Sequence, residues 1–209
     1  ALEDTQSTMI LADERRALQL SESGCGRHMI AVSETRDKPA MQGSSWIPFS
    51  EAIQGWESAT LAPVSMHPED EALIMFTSGT TGPSKAALFE QRAVMTALMH
   101  IQLSGALVAE HIVAKRGAGI FANAAEKQAA SLLAFPLFHV SGCYAVFLSG
   151  LMRGAKVVLL SKWDAEKALG LIEQEQVSAF AGAPAMYWDL LRTERGGRRL
   201  QSLLSIGAG

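Results

Sequence analysis

The chain has 209 residues, of which 48% are hydrophobic and 19% charged, and this composition excludes a disordered segment and favours a buried core. The net charge of -3, from 18 basic and 21 acidic residues, excludes the strong positive field that binds nucleic acid. Cys25 and Cys143 lack metal or redox spacing, which favours buried thiols and a reducing cytoplasm. We therefore expect small-molecule partners, and the acid-containing first residues show no targeting segment.

Residues 1–70 are predicted to form a supporting α/β portion. Apolar runs at residues 8–12 and 28–32 predict two short strands, and residues 13–22 between them predict a helix. Residues 34–68 contain four prolines and a Gly-Ser-Ser sequence, which predict a long surface excursion. We expect the large apolar side chains of this excursion to pack back onto the body; they are Trp46, Phe49, Ile53 and Trp56.

Residues 71–209 begin with a mostly apolar run at residues 71–76, which predicts a strand. Residues 77–85, which we call the phosphate loop, combine glycines, hydroxyl groups and a cation. The candidate ligand-binding residues in this loop are Thr77, Ser78, Gly79, Thr80, Thr81, Gly82 and Lys85. Glycines let backbone amides approach an anion closely, the hydroxyl groups add donors, and the lysine supplies positive charge.

The spacing of the phosphate loop excludes a Walker loop, which has four residues between its glycines and a Ser or Thr after its lysine. Here only two residues separate Gly79 from Gly82, and Ala86 follows Lys85. The loop resembles instead the phosphate loop of the acyl-adenylate-forming superfamily, Ser/Thr-Ser/Thr-Gly-Ser/Thr-Thr-Gly-x-Pro-Lys-Gly. Ser84 and Ala86 depart from this pattern, where the family has proline and glycine. The resemblance implies that the loop binds the triphosphate of ATP and that Lys85 stabilises its charge.

The middle of the chain contains a helix and a long uncharged stretch. Residues 91–113 have the apolar spacing of a helix. Residues 131–152 carry no Asp, Glu, Lys or Arg and are long enough to cross a bilayer. A proline, two glycines and three serines divide this stretch, so we predict a strand, a turn and a buried helix rather than a membrane span.

The predicted strand at residues 131–138 runs into the sequence Pro-Leu-Phe-His-Val-Ser-Gly, residues 136–142. This heptapeptide resembles the segment at the floor of the carboxylate pocket in acyl-CoA synthetases. The resemblance implies that His139 gates the site beside the reacting carboxylate and that Val140, Ser141 and Gly142 contact the acid. An imidazole suits this role because it can donate a hydrogen bond to a carboxylate or move aside as a neutral ring.

The last third of the chain is predicted to alternate strands and helices in βαβ order. Residues 155–160, 177–181 and 203–206 predict strands, Asp164 is a candidate helix cap, and a second helix follows Pro184. By the same resemblance, the acid pocket includes Gly182, Ala183 and Pro184. The resemblance also implies that adenine and the acyl chain meet a last segment, formed by Gly207, Ala208 and Gly209.

The three motifs imply an α/β fold of layered sheets with flanking helices, equivalent to part of the large N-terminal domain of an acyl-CoA synthetase-like enzyme. The implied activity is that of an ATP-dependent carboxylic acid-CoA ligase, with His139 and Lys85 as catalytic residues. ATP, coenzyme A and a fatty or aryl acid would be the substrates. Mg²⁺ would accompany ATP, and the sequence leaves its protein ligands open.

Later family segments, Tyr-Gly-x-Thr-Glu, Thr-Gly-Asp and a C-terminal domain with a catalytic lysine, do not occur in these 209 residues. We therefore expect the isolated chain to be inactive. Two alternatives remain open: a non-catalytic nucleotide-binding domain, and an NTP hydrolase or kinase with an atypical phosphate loop. The sequence makes no prediction of oligomeric state.

Overall fold

The computed structural model describes residues 2–32, 46–56, 58–77, 82–117, 119, 128–194, 196–198 and 200–208. The chain divides into two compact units, Ala1–Ser65 and Met66–Gly209. Both units combine helices with β-sheets, and the predicted α/β class is confirmed.

The first unit contains a three-stranded parallel sheet in the order β1-β2-β3. Its strands are β1 (Met9–Asp13), β2 (His28–Val32) and β3 (Trp46–Pro48). Helix α1 (Glu14–Glu22) connects β1 to β2 and begins at Asp13, whose carboxylate accepts the N–H of Arg16 at 2.9 Å. The buried hydrophobic side chains among the described residues of this unit are Ile10, Ala17, Met29 and Ala31.

The predicted surface excursion is wrong at residues 46–52, which form regular secondary structure. Trp46–Pro48 pairs with β2, and a short helix α2 (Phe49–Ala52) follows. Proline is tolerated at the end of this strand because β3 lies at the edge of the sheet. The side chains of Phe49, Ile53 and Trp56 are 42%, 45% and 70% exposed, so they do not anchor a core as expected. Residues 33–45 lie outside the described part of the chain.

The second unit begins with an antiparallel hairpin of β4 (Glu71–Phe76) and β5 (Ala86–Glu90). Helix α3 (Gln91–Arg116) follows directly, and its first N–H group donates to the carbonyl of Asp70 at 2.8 Å. The predicted strand and helix are both confirmed. The helix continues three residues beyond the predicted end and stops at Gly117, whose φ of 82° breaks the helical path.

A four-stranded parallel sheet in the order β7-β6-β8-β9 carries the main core. Its strands are β6 (Ala130–Leu133), β7 (Lys156–Leu159), β8 (Ala179–Gly182) and β9 (Ser205–Ala208). Helices α5 (Ala165–Gln174) and α6 (Pro184–Arg192) pack on this sheet, and the Asp164 carboxylate caps α5 as predicted. The buried core residues are Leu132, Val158, Ala168, Ile172, Val177 and Phe180.

Two predicted strand bounds in this sheet are wrong. Strand β6 ends at Leu133 rather than at residue 138, because Pro136 has no N–H group for a sheet and its carbonyl starts a turn to His139. Strand β9 includes Gly207 and Ala208, which lie beyond the predicted strand end at residue 206 and pair with β8.

The uncharged stretch 131–152 divides into a strand, a turn and a helix, as predicted. The helical part is a π-helix (Ser141–Leu148) that continues into α4 (Ser149–Met152). A different helix, α3, is long and apolar enough to cross a membrane, with a mean hydropathy of 1.3 over a window that is 6% buried. Length and composition alone do not distinguish a membrane span from the core helix of a soluble protein.

Candidate functional site

The phosphate loop lies at the tip of the β4–β5 hairpin. The N–H of Thr77 donates to the carbonyl of Lys85 at 2.9 Å, and the Thr77 hydroxyl lies 3.4 Å from both the N–H and the carbonyl oxygen of Lys85. This residue pair extends the hydrogen-bonded ladder of the hairpin by one position and closes the loop. The predicted residues Ser78, Gly79, Thr80 and Thr81 lie outside the described residues.

Residues 82–85, the described end of the phosphate loop, are exposed. A Cβ built on Gly82 would have nothing within 4 Å in the surroundings that the structure describes, and its φ is not in the left-handed region. Packing among the described residues therefore does not require glycine at this position. Lys85 is exposed and forms no ion pair with any described residue, so its ammonium group can reach an anion.

The other predicted segments meet at one edge of the four-stranded sheet. His139 follows β6, Gly182 ends β8, and Gly207 lies near the end of β9. Strand β8 pairs with both β6 and β9, and all these pairs are parallel. Three segments distant in sequence therefore converge at the carboxyl edge, where parallel α/β sheets bind ligands. Gly209 lies outside the described residues.

Tyr187 joins two of these segments, and the sequence analysis did not single it out. Its hydroxyl accepts the N–H of Gly182 at 2.9 Å and contacts the carbonyl oxygens of Phe180, at 3.2 Å, and Gly207. Burial raises the pKa of this hydroxyl, while the Gly182 and Gly207 hydrogen bonds lower it. The only sequence signal was a tyrosine in the first turns after Gly-Ala-Pro, which alone does not predict a contact with the last strand.

His139 has an exposed side chain on a turn with well-defined hydrogen bonds. Its backbone N–H donates to the carbonyl of Pro136 at 3.1 Å, and its carbonyl accepts the N–H of Cys143 at 2.9 Å. The imidazole Nδ1 accepts the N–H of Ser141 at 3.3 Å. The ring is therefore held from the first turn of the π-helix that follows it.

A cleft of about 610 Å³ lies between α3 and the π-helix and includes two of the predicted acid-binding residues, Val140 and Ser141. The other lining residues are Phe89, Ala93, Ala97, His100, Ile101, Tyr144 and Ala145. Alanines spaced four residues apart on α3 lie opposite Ser141 and Ala145, which have the same spacing, so small side chains on both helices create the space. Gly182, Ala183 and Pro184 do not belong to the described lining of this cleft.

Tyr144 lines the cleft and contacts Phe89 of the β4–β5 hairpin. Its ring meets that of Phe89 edge to face, with centroids 6.3 Å apart, and packs with Val94, Leu98 and Cys143. Its hydroxyl is buried without a hydrogen-bond partner in the described part of the structure. Burial raises the pKa of this hydroxyl, and the negative charge that the neighbouring Cys143 carries when it is ionised raises it further.

The described residues contain no group of three or more His, Cys, Asp or Glu side chains that could hold a metal ion. The described residues therefore identify no protein ligand for Mg²⁺.

Comparison with known proteins gives a consistent result along the whole chain. A model of the family described as AMP-binding enzyme matches residues 1–209. A 4-coumarate-CoA ligase-like protein of Oryza sativa subsp. japonica is 32% identical over 76% of this chain and 28% of its own length. The 4-chlorobenzoate-CoA ligase of Pseudomonas sp. (strain CBS-3) is 30% identical over 69% of this chain and 24% of its own length.

The fold is similar to that of a red-emitting luciferase from Phrixothrix hirtus, with a TM-score of 0.68 and 19% identity over 100% of this chain and 38% of that protein. The chain spans about a quarter of the length of the curated relatives it matches. Since the family model matches every residue, this chain belongs to the adenylate-forming AMP-binding enzyme family, whose curated relatives here are CoA ligases.

Proposed function

We propose that this chain is part of an ATP-dependent aryl acid-CoA ligase, which forms an acyl adenylate and then a thioester. One observation carries the proposal: the carboxyl ends of β6, β8 and β9 lie at the same edge of one parallel sheet. His139 follows β6, Gly182 ends β8 and Gly207 lies near the end of β9, and these residues belong to segments that resemble the acid and adenylate motifs of the family.

In the first step, a carboxylate oxygen of the acid attacks the α-phosphorus of ATP. The new acyl–phosphate bond replaces the α–β phosphoanhydride bond, and pyrophosphate leaves with its electron pair. Charge builds on the leaving phosphates, and Lys85 with the amides of the phosphate loop would stabilise that charge. In the second step, the thiol of coenzyme A attacks the acyl carbon and releases AMP.

The cleft beside Val140 and Ser141 supports an apolar acid as the substrate. Its described lining includes aromatic, aliphatic and small side chains but no carboxylate that could pair with the ammonium group of an amino acid. The two curated relatives are named for 4-coumarate and 4-chlorobenzoate, both aromatic acids. This favours an aryl acid over the fatty acid that the sequence also allowed.

Acid-dependent pyrophosphate exchange by the full-length enzyme tests the proposal. We expect exchange of labelled pyrophosphate into ATP only when an acid is present, with aryl acids preferred over fatty and amino acids. Phosphate release without any acid would indicate a hydrolase. ATP-dependent stabilisation without turnover would indicate a binding domain. Either outcome would overturn the ligase assignment.

The isolated 209-residue chain provides a second comparison. We expect it to exchange no pyrophosphate, because the residues described here supply phosphate-loop charge and part of an acid site but no metal ligands or mobile catalytic lysine. Exchange near the full-length rate would show that these 209 residues contain the complete catalytic machinery.

Replacing Ala97 by leucine tests whether the cleft holds the acid. A larger side chain on this wall should lower kcat/KM for extended aryl acids by roughly 10- to 200-fold relative to benzoate, the scale of small steric differences in apolar pockets. Ala106→Leu, on an exposed part of the same helix, is the matched control. Equal effects of both substitutions on all acids would place the acid elsewhere.

A further inference from the structure

The carbonyl group of Pro136 has two neighbours that together determine where His139 lies. It accepts the backbone N–H of His139 at 3.1 Å. A Cβ on residue 142 would lie 2.3 Å from the same oxygen and 2.8 Å from the carbonyl oxygen of Phe135. Both atoms belong to the backbone, so any residue other than glycine must displace the turn that carries His139.

The start of the π-helix also orients the side chain of His139. Ser141 is the first residue of the π-helix, where N–H groups lack partners within the helix. Its N–H donates to His139 Nδ1 at 3.3 Å. A nitrogen that accepts a hydrogen bond carries no proton, so the neutral ring has its proton on Nε2.

We propose that Gly142 is a positioning residue for recognition of the acid: its close approach to Pro136 holds His139 as the Nε2–H tautomer, which donates a hydrogen bond to the substrate carboxylate. The proposal rests on the proposed ligase function for its substrate. The π-helix contributes directly to this positioning. It places Gly142 against the Pro136 carbonyl group, and the N–H of its first residue, Ser141, donates to the imidazole ring.

Nitrogen NMR of histidine-labelled protein measures the tautomer directly. The His139 signals are assigned by their loss in His139→Gln, and spectra are recorded at alkaline pH, where imidazole rings are neutral. We expect the wild-type ring to carry its proton on Nε2. Gly142→Ala should move the ring toward the tautomer mixture of free histidine.

Gly150→Ala is the matched control, since a Cβ at this buried glycine would lie 2.9 Å from Cγ2 of the Val157 side chain and far along the helix from Pro136. It should lower the melting temperature and leave the His139 tautomer unchanged. A wild-type proton on Nδ1, a mixed wild-type population, or an unaltered tautomer in Gly142→Ala would each overturn the proposal. The wild-type spectrum remains decisive if Gly142→Ala does not fold.

Kinetics of the full-length enzyme separate positioning from general destabilisation. Gly142→Ala should raise KM for the acid roughly tenfold, the scale of one hydrogen bond to a charged group, while KM for ATP stays within about twofold. An equal rise in both KM values would assign Gly142 a structural role only. Absence of acid-dependent exchange in the wild type would instead refute the ligase function, and the NMR result would still test the positioning of His139.

Discussion

The phosphate loop and the His139 segment, residues 134–142, differ in how the fold holds them. Among the described residues, one main-chain pair, Thr77 with Lys85, closes the phosphate loop, and a Cβ added to Gly82 would meet no atom within 4 Å. In the His139 segment, backbone hydrogen bonds join His139 to Pro136 and Cys143. The backbone of residues 135 and 136 occupies the place that a Cβ on Gly142 would take. The described glycine of the first segment is open to its surroundings, whereas the glycine of the second packs against the backbone of residues 135 and 136.

This difference separates two kinds of mutational effect. Under the proposed function, removing a side chain from the phosphate loop would take away a contact with ATP and little buried apolar surface, so activity should fall while stability stays constant. The His139 segment includes the turn at Pro136 and connects the end of β6 to the start of the π-helix, so a substitution in it should disturb all three. Substitutions there should affect stability and acid recognition in the same variant.

The largest effect is expected for Lys85→Ala in the full-length enzyme. Loss of one charge-stabilising group should lower acid-dependent pyrophosphate exchange by on the order of tenfold to a thousandfold, with an unchanged melting temperature. Lys115→Ala, an exposed lysine in the last turn of α3, is the control and should leave exchange unchanged. A folded Lys85→Ala enzyme with wild-type exchange would refute the role of the loop.

A smaller and more selective effect is expected for His139→Ala. The variant loses the imidazole but keeps the backbone bonds to Pro136 and Cys143. KM for the acid should therefore rise by roughly tenfold while KM for ATP changes little. Steady-state kinetics with each substrate varied in turn make this measurement. A change confined to ATP would move His139 to the nucleotide side of the site.

The two segments also show what a sequence can and cannot predict. The strands at residues 71–76 and 28–32 and the Asp164 cap depend on local patterns, and the structure contains these elements. Strand β3 forms only because β2 provides a sheet partner, so residues 46–48 were wrongly predicted to belong to the surface excursion. Local composition cannot show which backbone atoms lie beside a glycine.

Tyr187 illustrates the same limit in the candidate site. Its hydroxyl joins residues 182 and 207, which are 25 positions apart in the sequence and become neighbours only when β8 and β9 pair. The roles of the site residues remain predictions, because no ligand contact has been measured. The structure contributes the convergence of three segments at one sheet edge, which local patterns do not reveal.

The two tyrosines of the chain allow a stability test of buried hydroxyl groups. Tyr187→Phe leaves the Gly182 N–H without its acceptor and should lower the free energy of unfolding by about 1–3 kcal/mol. Tyr144→Phe removes a hydroxyl with no described partner and should leave that free energy unchanged or slightly higher. Urea unfolding midpoints at constant slope compare the variants. A marked loss for Tyr144→Phe would reveal a partner outside the described residues.

The smallest expected effect is an alkaline loss of stability from Cys143. Burial raises the pKa of this thiol, so the folded state holds its proton more tightly than the unfolded state. The stabilisation is complete below the ordinary thiol pKa of about 8.5 and is lost as pH rises through the folded value. Between about pH 8.5 and 10, the melting temperature of the wild type should fall more steeply than that of Cys143→Val. Cys25→Ser is the control and should follow the wild type.

Direct detection of the acyl adenylate tests the central claim, that the phosphate loop and the sheet edge serve one adenylation reaction. Full-length enzyme is incubated with ATP, Mg²⁺ and an aryl acid in the absence of coenzyme A, and the quenched mixture is analysed by mass spectrometry. We expect acyl-AMP and pyrophosphate in equal amounts, only with acid, and strongly reduced in Lys85→Ala. ADP or phosphate formed without acid, and no acyl-AMP with any acid, would contradict this account.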